Sequence, residues 1–503
     1  MLGRKSLVVL VARVLASVLA LVGLMFTSRY LGPEINGQIS WALALITTFN
    51  SISDFGFMAA HVKRVSEGKD INDCVSTFTT IKLTLTAGMV VFTTAYITVW
   101  QWLQPGAISD TSLSILILFV LYSVFYNISS IFWTTYEGRM EAVKSQLIVL
   151  AEPLSRTPLM ILVALGRWGA VPLAYTYVIG GLVIVVVGLM LIRREKIHWT
   201  RPTLFKEYFK YAVPISFITV FGTISWNLDK LIIEVFGSTT DVAFFSQPQT
   251  LLGVVGFIGV AVTTLTFPAF SQMHSRGDFE GIRAVTHRAE RYISMLSLPV
   301  VVVIALFPTE TVVTFLGELY APASEPMRIL ALATYISLLS QAYTPQIGGI
   351  NRPDISAKLV GLALLLNIIL LLTLVPSSLN GFRTLGLGVN GAALANVLVS
   401  FVFMLMVRVT VFRLTQTKSN LRIILHIIAG ILSAIVLYSI FQIHPIRYWY
   451  DLLFFALLEI PVFFAFLALF RELTRYDIHY FLEVMNLRDM AGYVSDEMKR
   501  RKE

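Results

Sequence analysis

The sequence predicts an all-α integral membrane protein of about fourteen transmembrane helices, built as two six-helix bundles related by pseudo-two-fold symmetry plus an extra helix pair. Three observations lead there. The 503 residues are 56% hydrophobic and only 14% charged, with a mean hydropathy of +0.75, whereas soluble domains carry about 25% charged residues. Apolar stretches of roughly 20 residues, the length that crosses about 30 Å of hydrocarbon, recur along the chain. The connections between them alternate between base-rich and base-poor. The same composition excludes disorder, which needs a polar, charge-rich chain. One cysteine, Cys74, excludes a disulfide framework and a cysteine-rich metal site.

Taken in order, the predicted spans fall near 7–28, 38–61, 77–102, 112–135, 147–166, 171–192, 211–233, 244–270, 291–316, 326–347, 358–375, 388–412, 421–441 and 452–470. The basic connections hold Lys63/Arg64/Lys69, Arg139/Lys144, the long run from Arg193 to Lys210, and Arg276/Arg283/Arg288/Arg291. Arg352/Lys358, Arg413/Lys418/Arg422 and the tail from Arg471 complete the set. With Arg4 and Lys5, that face carries about 29 of the 39 lysines and arginines, against Arg29, Arg167, Arg383 and Arg447 opposite. Positive-inside bias then puts both termini in the cytoplasm of a multi-pass cell-membrane protein. Trp100, Trp102, Trp168 and Trp449 fall at outer helix ends, where an interfacial aromatic belt would sit. The net charge of +9 is therefore a signal of orientation, and nucleic acid is not expected as a partner. The first apolar stretch carries Arg13 and is followed by many more spans, so it reads as a span and not as a cleaved signal.

The long basic loop divides the chain. Residues 1–200 are expected to form the first bundle, 201–415 the second, 416–470 the extra pair and 471–503 a cytoplasmic tail. That tail reads as an amphipathic interfacial helix or as a solvated charged segment. An even number of spans per half makes the halves parallel repeats. Two weak matches support this: Tyr30 to Gly37 against Val235 to Asp241, and Ser66-Glu67-Gly68-Lys69 against Ser275-Arg276-Gly277-Asp278. Their shared offset of about 205–209 residues is more telling than either alone. The outer loops are short, which leaves little on which to build a soluble active site.

The dinucleotide-like pattern Gly386-Leu387-Gly388-Val389-Asn390-Gly391 opens a membrane span and lacks the preceding strand it would need. Asn127-Ile128-Ser129 falls inside the fourth span, out of reach of glycosylation. No metal-binding histidine pair, phosphate loop or nucleophile elbow is present, so neither a cofactor nor enzymatic chemistry is expected. The positive signal is charge at bilayer depth, which costs at least about 2.5–3.5 kcal/mol at a helix centre. Arg13, Asp54, Lys82, Glu152 and Arg156 lie there in the first half, and Asp229, Lys230, Arg328 and Arg408 in the second.

Arg13 and Asp54 are each about 10 Å deep and are expected to pair across adjacent helices, with Lys82 at a similar level. Glu152 and Arg156 form an i,i+4 pair on a helix interrupted by Pro153 and Pro158. Asp229, Lys230 and Arg328 cluster toward the outer side, and Arg408 reads as a snorkelling anchor. Arg13, Lys82, Arg156, Lys230 and Arg328 are thus the expected substrate-binding bases, suited to phosphate. Asp54, Glu152 and Asp229 would hold those bases or exchange protons. The competing reading makes the charges structural ion pairs.

The chain resembles the polysaccharide flippases of the multidrug/oligosaccharidyl-lipid/polysaccharide exporter superfamily. The opening Arg29-Tyr30-Leu31-Gly32-Pro33-Glu34, then Gly37 and Asp54-Phe55-Gly56, carries the likeness. So do Phe205-Lys206-Glu207-Tyr208, Tyr211-Ala212-Val213-Pro214, Asn227-Leu228-Asp229, Phe267-Pro268-Ala269-Phe270-Ser271 and Gly391-Ala392-Ala393. The resemblance implies a V-shaped pair of bundles around a cationic cavity. It also implies, as substrate, a polyprenyl- or dolichyl-(pyro)phosphate-linked oligosaccharide carried to the outer leaflet by alternating access. Lipid-linked oligosaccharide and membrane lipids are then the partners; the coupling ion, proton or sodium, and a glycan-assembly complex stay open. A cation-coupled multidrug exporter is the first alternative, though the basic excess argues against it. A membrane enzyme of glycan assembly is the second.

Overall fold

The computed structural model describes residues 2–106, 108–195, 197–350 and 352–473, so the expected tail helix from 474 onward lies outside the described residues. The chain is helical nearly throughout. Its first element, α1 (Leu2–Asp54), is two spans joined at Gly32, whose φ of 80° and ψ of 178° break the helix. Pro33 follows directly, with no N–H to offer the preceding turn. The chain turns again at Phe55 and Gly56, both at positive φ, into the short amphipathic α2 (Phe57–Ser66).

The first bundle continues with α3 (Ile71–Leu103), α4 (Asp110–Gly138), α5 (Ala142–Gly166) and α6 (Ala170–Ile192). The second contains α7 (Phe205–Phe236), α8 (Thr239–Ser275), α9 (Phe279–Leu306), the short α10 (Pro308–Leu316), α11 (Ser324–Ser340), α12 (Thr344–Gly349), α13 (Pro353–Leu374) and α14 (Gly388–Thr415). A two-residue hairpin, β1 (Ser378–Leu379) with β2 (Phe382–Arg383), caps one loop. The extra pair, α15 (Ile423–Ile443) and α16 (Trp449–Leu469), packs on α9.

Twelve helices among the described residues are long and apolar enough to cross a membrane. One of them, α1, holds two spans, and the 17-residue α11 adds another, giving the fourteen expected. Within the first bundle α1 packs on α5, and α6 on α4 and α5; within the second, α11 packs on α14 and α9, and α13 on α7 and α14.

Two features differ from the sequence reading. Helix α9 starts at Phe279, not at 291, with the Asp278 side chain capping its first turn. Its first turns project past the apolar slab and carry charge, which hydropathy does not register. Helix α5 runs unbroken through Pro153 and Pro158, because neighbouring helices sustain a proline-containing span. The internal match also has a structural counterpart. Gly68 and Gly277 both end helices at positive φ, and Asp70 and Asp278 cap the helices that follow.

Candidate functional site

The two halves touch at both ends and part between them. At the end that carries the basic loops, the start of α7 lies against α2 and α3. Tyr208 is fully buried, its hydroxyl 2.8 Å from His61 Nδ1 and donating to the Cys74 carbonyl at 3.2 Å. Glu207 bridges to Lys69 at 3.1 Å and to Arg64 at 3.6 Å. At the opposite end the second arm of α1 meets the start of α8, where Gly37 packs on the Thr239 backbone. Gln247 donates to the Ser40 hydroxyl at 3.4 Å, and Tyr320 donates to the Gly32 carbonyl at 3.2 Å.

Between these contacts lies a cavity of about 730 Å³ bounded by α1, α7 and α8. The α1 wall is one helical face: Ser40, Leu43, Ala44, Thr47 and Asp54 recur at the spacing that keeps side chains together. From Ser40 to Asp54 that face is about 21 Å long. The α7 wall offers Thr219, Thr223, Trp226, Asn227 and Lys230, and α8 offers Ser246, Gln249 and Thr250. Eight of the fifteen described lining residues carry hydroxyls or amides, while most of the wall surface is apolar. Among the described residues of this lining, Asp54 is the one acid and Lys230 the one base.

The expected site residues are therefore spread over several environments. Lys230 lines the cavity. Lys82 does not; it is 1% exposed, behind Asp54, its ammonium 3.7 Å from the Asp54 carboxylate and 3.2 Å from the Ser53 carbonyl. Asp54 pairs with Lys82, not with Arg13 as expected. Arg13 is exposed, with no carboxylate within 4 Å among the described residues, and acts electrostatically on Glu137 of α4. The helix rotation of 100° per residue, which depth alone does not specify, points the two away from each other.

Arg156 and Glu152 do pair, at 2.6 Å, and Arg156 lies over the Tyr177 ring at 4.4 Å. They sit inside the first bundle, where Tyr126 feels both Asp54 and Glu152. Asp229 is buried beside Asn367 and Asn396 of α13 and α14. Arg328 does not join it: half-exposed, it bonds Glu325 at 2.8 Å and the Ala305 carbonyl at 3.1 Å. Arg408 is no snorkelling anchor. It pairs with the fully buried Glu290, whose other oxygen accepts from Tyr343 at 2.6 Å.

Hydropathy missed Glu290 by starting α9 too late. It also passed over Glu459, fully buried in α16 and bonded by Ser433 at 2.7 Å; a lone acid inside a predicted span was the available signal. Outside the spans, the carboxyl of Glu195 is held below its ordinary 4.5 by hydrogen bonds from Lys144 and then Arg139. No group of three or more metal-ligating side chains occurs among the described residues.

A family model described as "Polysaccharide biosynthesis protein" matches residues 2–274. A probable low-salt glycan biosynthesis flippase, Agl15 of Haloferax volcanii, is 22% identical over 399 residues, 79% of this chain and 80% of the relative. Among solved structures, the lipid II flippase MurJ in an inward closed conformation aligns with a TM-score of 0.74. Identity there is 14%, over 92% of this chain and 98% of that one. An inward-facing multidrug resistance transporter of the MATE family, in the MOP superfamily, aligns at 0.63 and 15% identity, over 80% of this chain and 96% of that one. At these identities the solved structures establish the fold.

Proposed function

The chain belongs to the polysaccharide biosynthesis protein family, and from that premise we propose that it is a flippase for lipid-linked oligosaccharides. The reading has the basic end in the cytoplasm, both termini included, with the glycan crossing to the other leaflet through the cavity between α1, α7 and α8. One observation carries it: an open-mouthed space of about 730 Å³ between two helical bundles, whose largely apolar wall is set with hydroxyls and amides. Such a lining suits sugar hydroxyls, while the hydrocarbon tail needs no polar wall and stays in the bilayer.

In this mechanism the halves 1–200 and 201–415 rock against each other, with 416–470 riding on α9. The Glu207 and Tyr208 contacts release to admit the headgroup from the cytoplasmic leaflet, and the Gly37 and Ser40 contacts release to discharge it. Arg13 and Lys230 are the bases that meet the substrate. The Lys82–Asp54 and Glu152–Arg156 pairs hold the first bundle's polar interior. Asp54, facing the cavity, is where a coupling proton or sodium ion would register.

Reconstitution tests the reading directly. Proteoliposomes loaded with a polyprenyl diphosphate oligosaccharide should move it between leaflets, scored by its accessibility to an added glycosidase. A rate equal to that of protein-free vesicles defeats the proposal. The shared fold and the acid in the cavity favour a second reading, a cation-coupled multidrug exporter. Export of cationic dyes, with no movement of the oligosaccharide, would select that reading.

A further inference from the structure

We propose that Trp226 and Lys230 form a carbohydrate subsite for a uronate-bearing sugar. Trp226 is the stacking platform and Lys230 the partner of the carboxylate. The proposal rests on the flippase reading and names the glycan class that such a flippase would select.

Trp226 is 59% exposed although it lies on the α7 face that lines the cavity, in register with Thr219, Thr223 and Lys230. An indole there leaves more than half of its surface open to the cavity, with the Lys230 ammonium approaching the ring. Its apolar plane matches the C–H face of a pyranose, while the neighbouring hydroxyls and amides match the ring's rim. Lys230 completes the surface. Its ammonium lies 5.3 Å from the Trp226 ring centre and donates to the Trp226 carbonyl at 3.2 Å. An ammonium has three donors, so two remain for a ligand.

Lys230 is only 7% exposed, and among the described residues its ammonium meets the Trp226 carbonyl and ring but no ion-pair partner. Asp229, its neighbour in sequence, lies beside Asn367 and Asn396 and acts on Lys230 through space without forming an ion pair. A buried, unpaired ammonium is costly, and an anion arriving with the substrate offsets that cost. The anion is a carboxylate and not the carrier's diphosphate. One lysine is the only base among the described residues of this lining, with an acid at the far end, whereas a diphosphate calls for several cations or arginine forks. A single point charge beside a stacking ring fits a singly charged sugar acid.

The test uses two probes on the same polyprenyl diphosphate: a tetrasaccharide containing one glucuronate, and the same tetrasaccharide with that carboxyl reduced to the alcohol. Their flipping rates are compared in one reconstituted preparation. The unsubstituted protein should favour the glucuronate probe about tenfold, the scale of one hydrogen bond to a charged group. Lys230→Gln should bring the ratio of the two rates close to one, and Lys230→Arg should restore it. Trp226→Leu should slow both probes, with Trp226→Phe recovering most of the rate. Variants are compared only where they remain monodisperse after purification; if Lys230→Gln does not fold, Lys230→Met takes its place with the same expected loss of preference. Equal rates for the two probes in the unsubstituted protein overturn this proposal and leave the flippase reading standing. An unchanged ratio in Lys230→Gln overturns it as well. Movement of neither probe overturns the flippase reading and this one with it.

Discussion

A Cβ placed on Gly37 would collide with the carbonyl oxygen of Thr239. The second arm of α1 and the first turn of α8 close on each other only because residue 37 has no side chain, the close-approach role to which glycine is suited. Gly37→Val should therefore hold that end ajar. A single cysteine at Ser246, which is buried on the cavity wall, reports the opening in a Cys74→Ser background. Labelling by a membrane-impermeant thiol reagent should rise several-fold with the valine, and flipping should fall. Unchanged labelling would mean that the backbone gives way without opening the cavity.

Gly222 offers the reverse experiment. It lines the cavity, and nothing lies within 4 Å of where its Cβ would stand. Gly222→Phe should fold with little change in melting temperature, since replacing a helix-interior glycine relieves rather than strains the backbone. Flipping should drop at least about tenfold as the ring takes up the path. Gly88 on α3, equally open but outside the cavity, is the control; Gly88→Phe should transport normally. Equal activity in both variants would remove the cavity from the route.

The Glu290–Arg408 pair should behave as a buried ion pair. Arg408→Leu leaves a fully buried carboxylate without its cation and should cost roughly 3–5 kcal/mol. The double substitution Glu290→Leu with Arg408→Leu should recover most of that loss. Melting temperatures in detergent of the unsubstituted protein, Glu290→Leu, Arg408→Leu and the double variant give the coupling. Additive losses would show that the two side chains act independently.

Glu195 ties the loop after α6 to α5 through Lys144 and to the turn after α4 through Arg139, at 2.6 Å and 2.8 Å. Because its folded carboxyl titrates below its ordinary 4.5, its contribution to stability is full above that pH. The contribution fades as acid protonates the folded carboxyl below it. Glu195→Gln should melt lower than the unsubstituted protein at pH 6, and the gap should close as the pH falls below 4.5. A gap that stays constant with pH would assign the loss to something other than the charge.

Hydropathy and loop charge carried the span count and the two-fold plan, because both are one-dimensional signals written along the chain. The repeat was readable in Gly68 and Gly277, where a positive φ demands the same residue in both halves. Azimuth was not readable. Counting along their helices puts Arg13, Asp54 and Lys82 at one level, yet Lys82 is sealed behind Asp54 while Arg13 is exposed. Which face of a span meets a neighbour depends on packing between helices far apart in sequence. The cavity wall was hidden for a related reason. Ser40, Thr47, Thr219 and Thr223 are uncharged residues that cost little in a membrane helix, so they gave no signal until α1 and α7 were seen side by side. Trp226 lay at mid-span, away from the interfacial belt where tryptophan is expected, and that misplacement was its only mark in the sequence.

For the glycan to leave, the halves must part at the end opposite the basic loops. Cysteines at Ser40 and Gln247, whose side chains meet at 3.4 Å, joined by a reducible bis-thiol linker in a Cys74→Ser protein, lock that end shut. Flipping of a polyprenyl diphosphate oligosaccharide in proteoliposomes is then measured before and after reduction. The expected result is no movement above protein-free vesicles while locked and recovery of the uncrosslinked rate once reduced. Transport at the full rate through the locked protein would contradict alternating access by these two bundles.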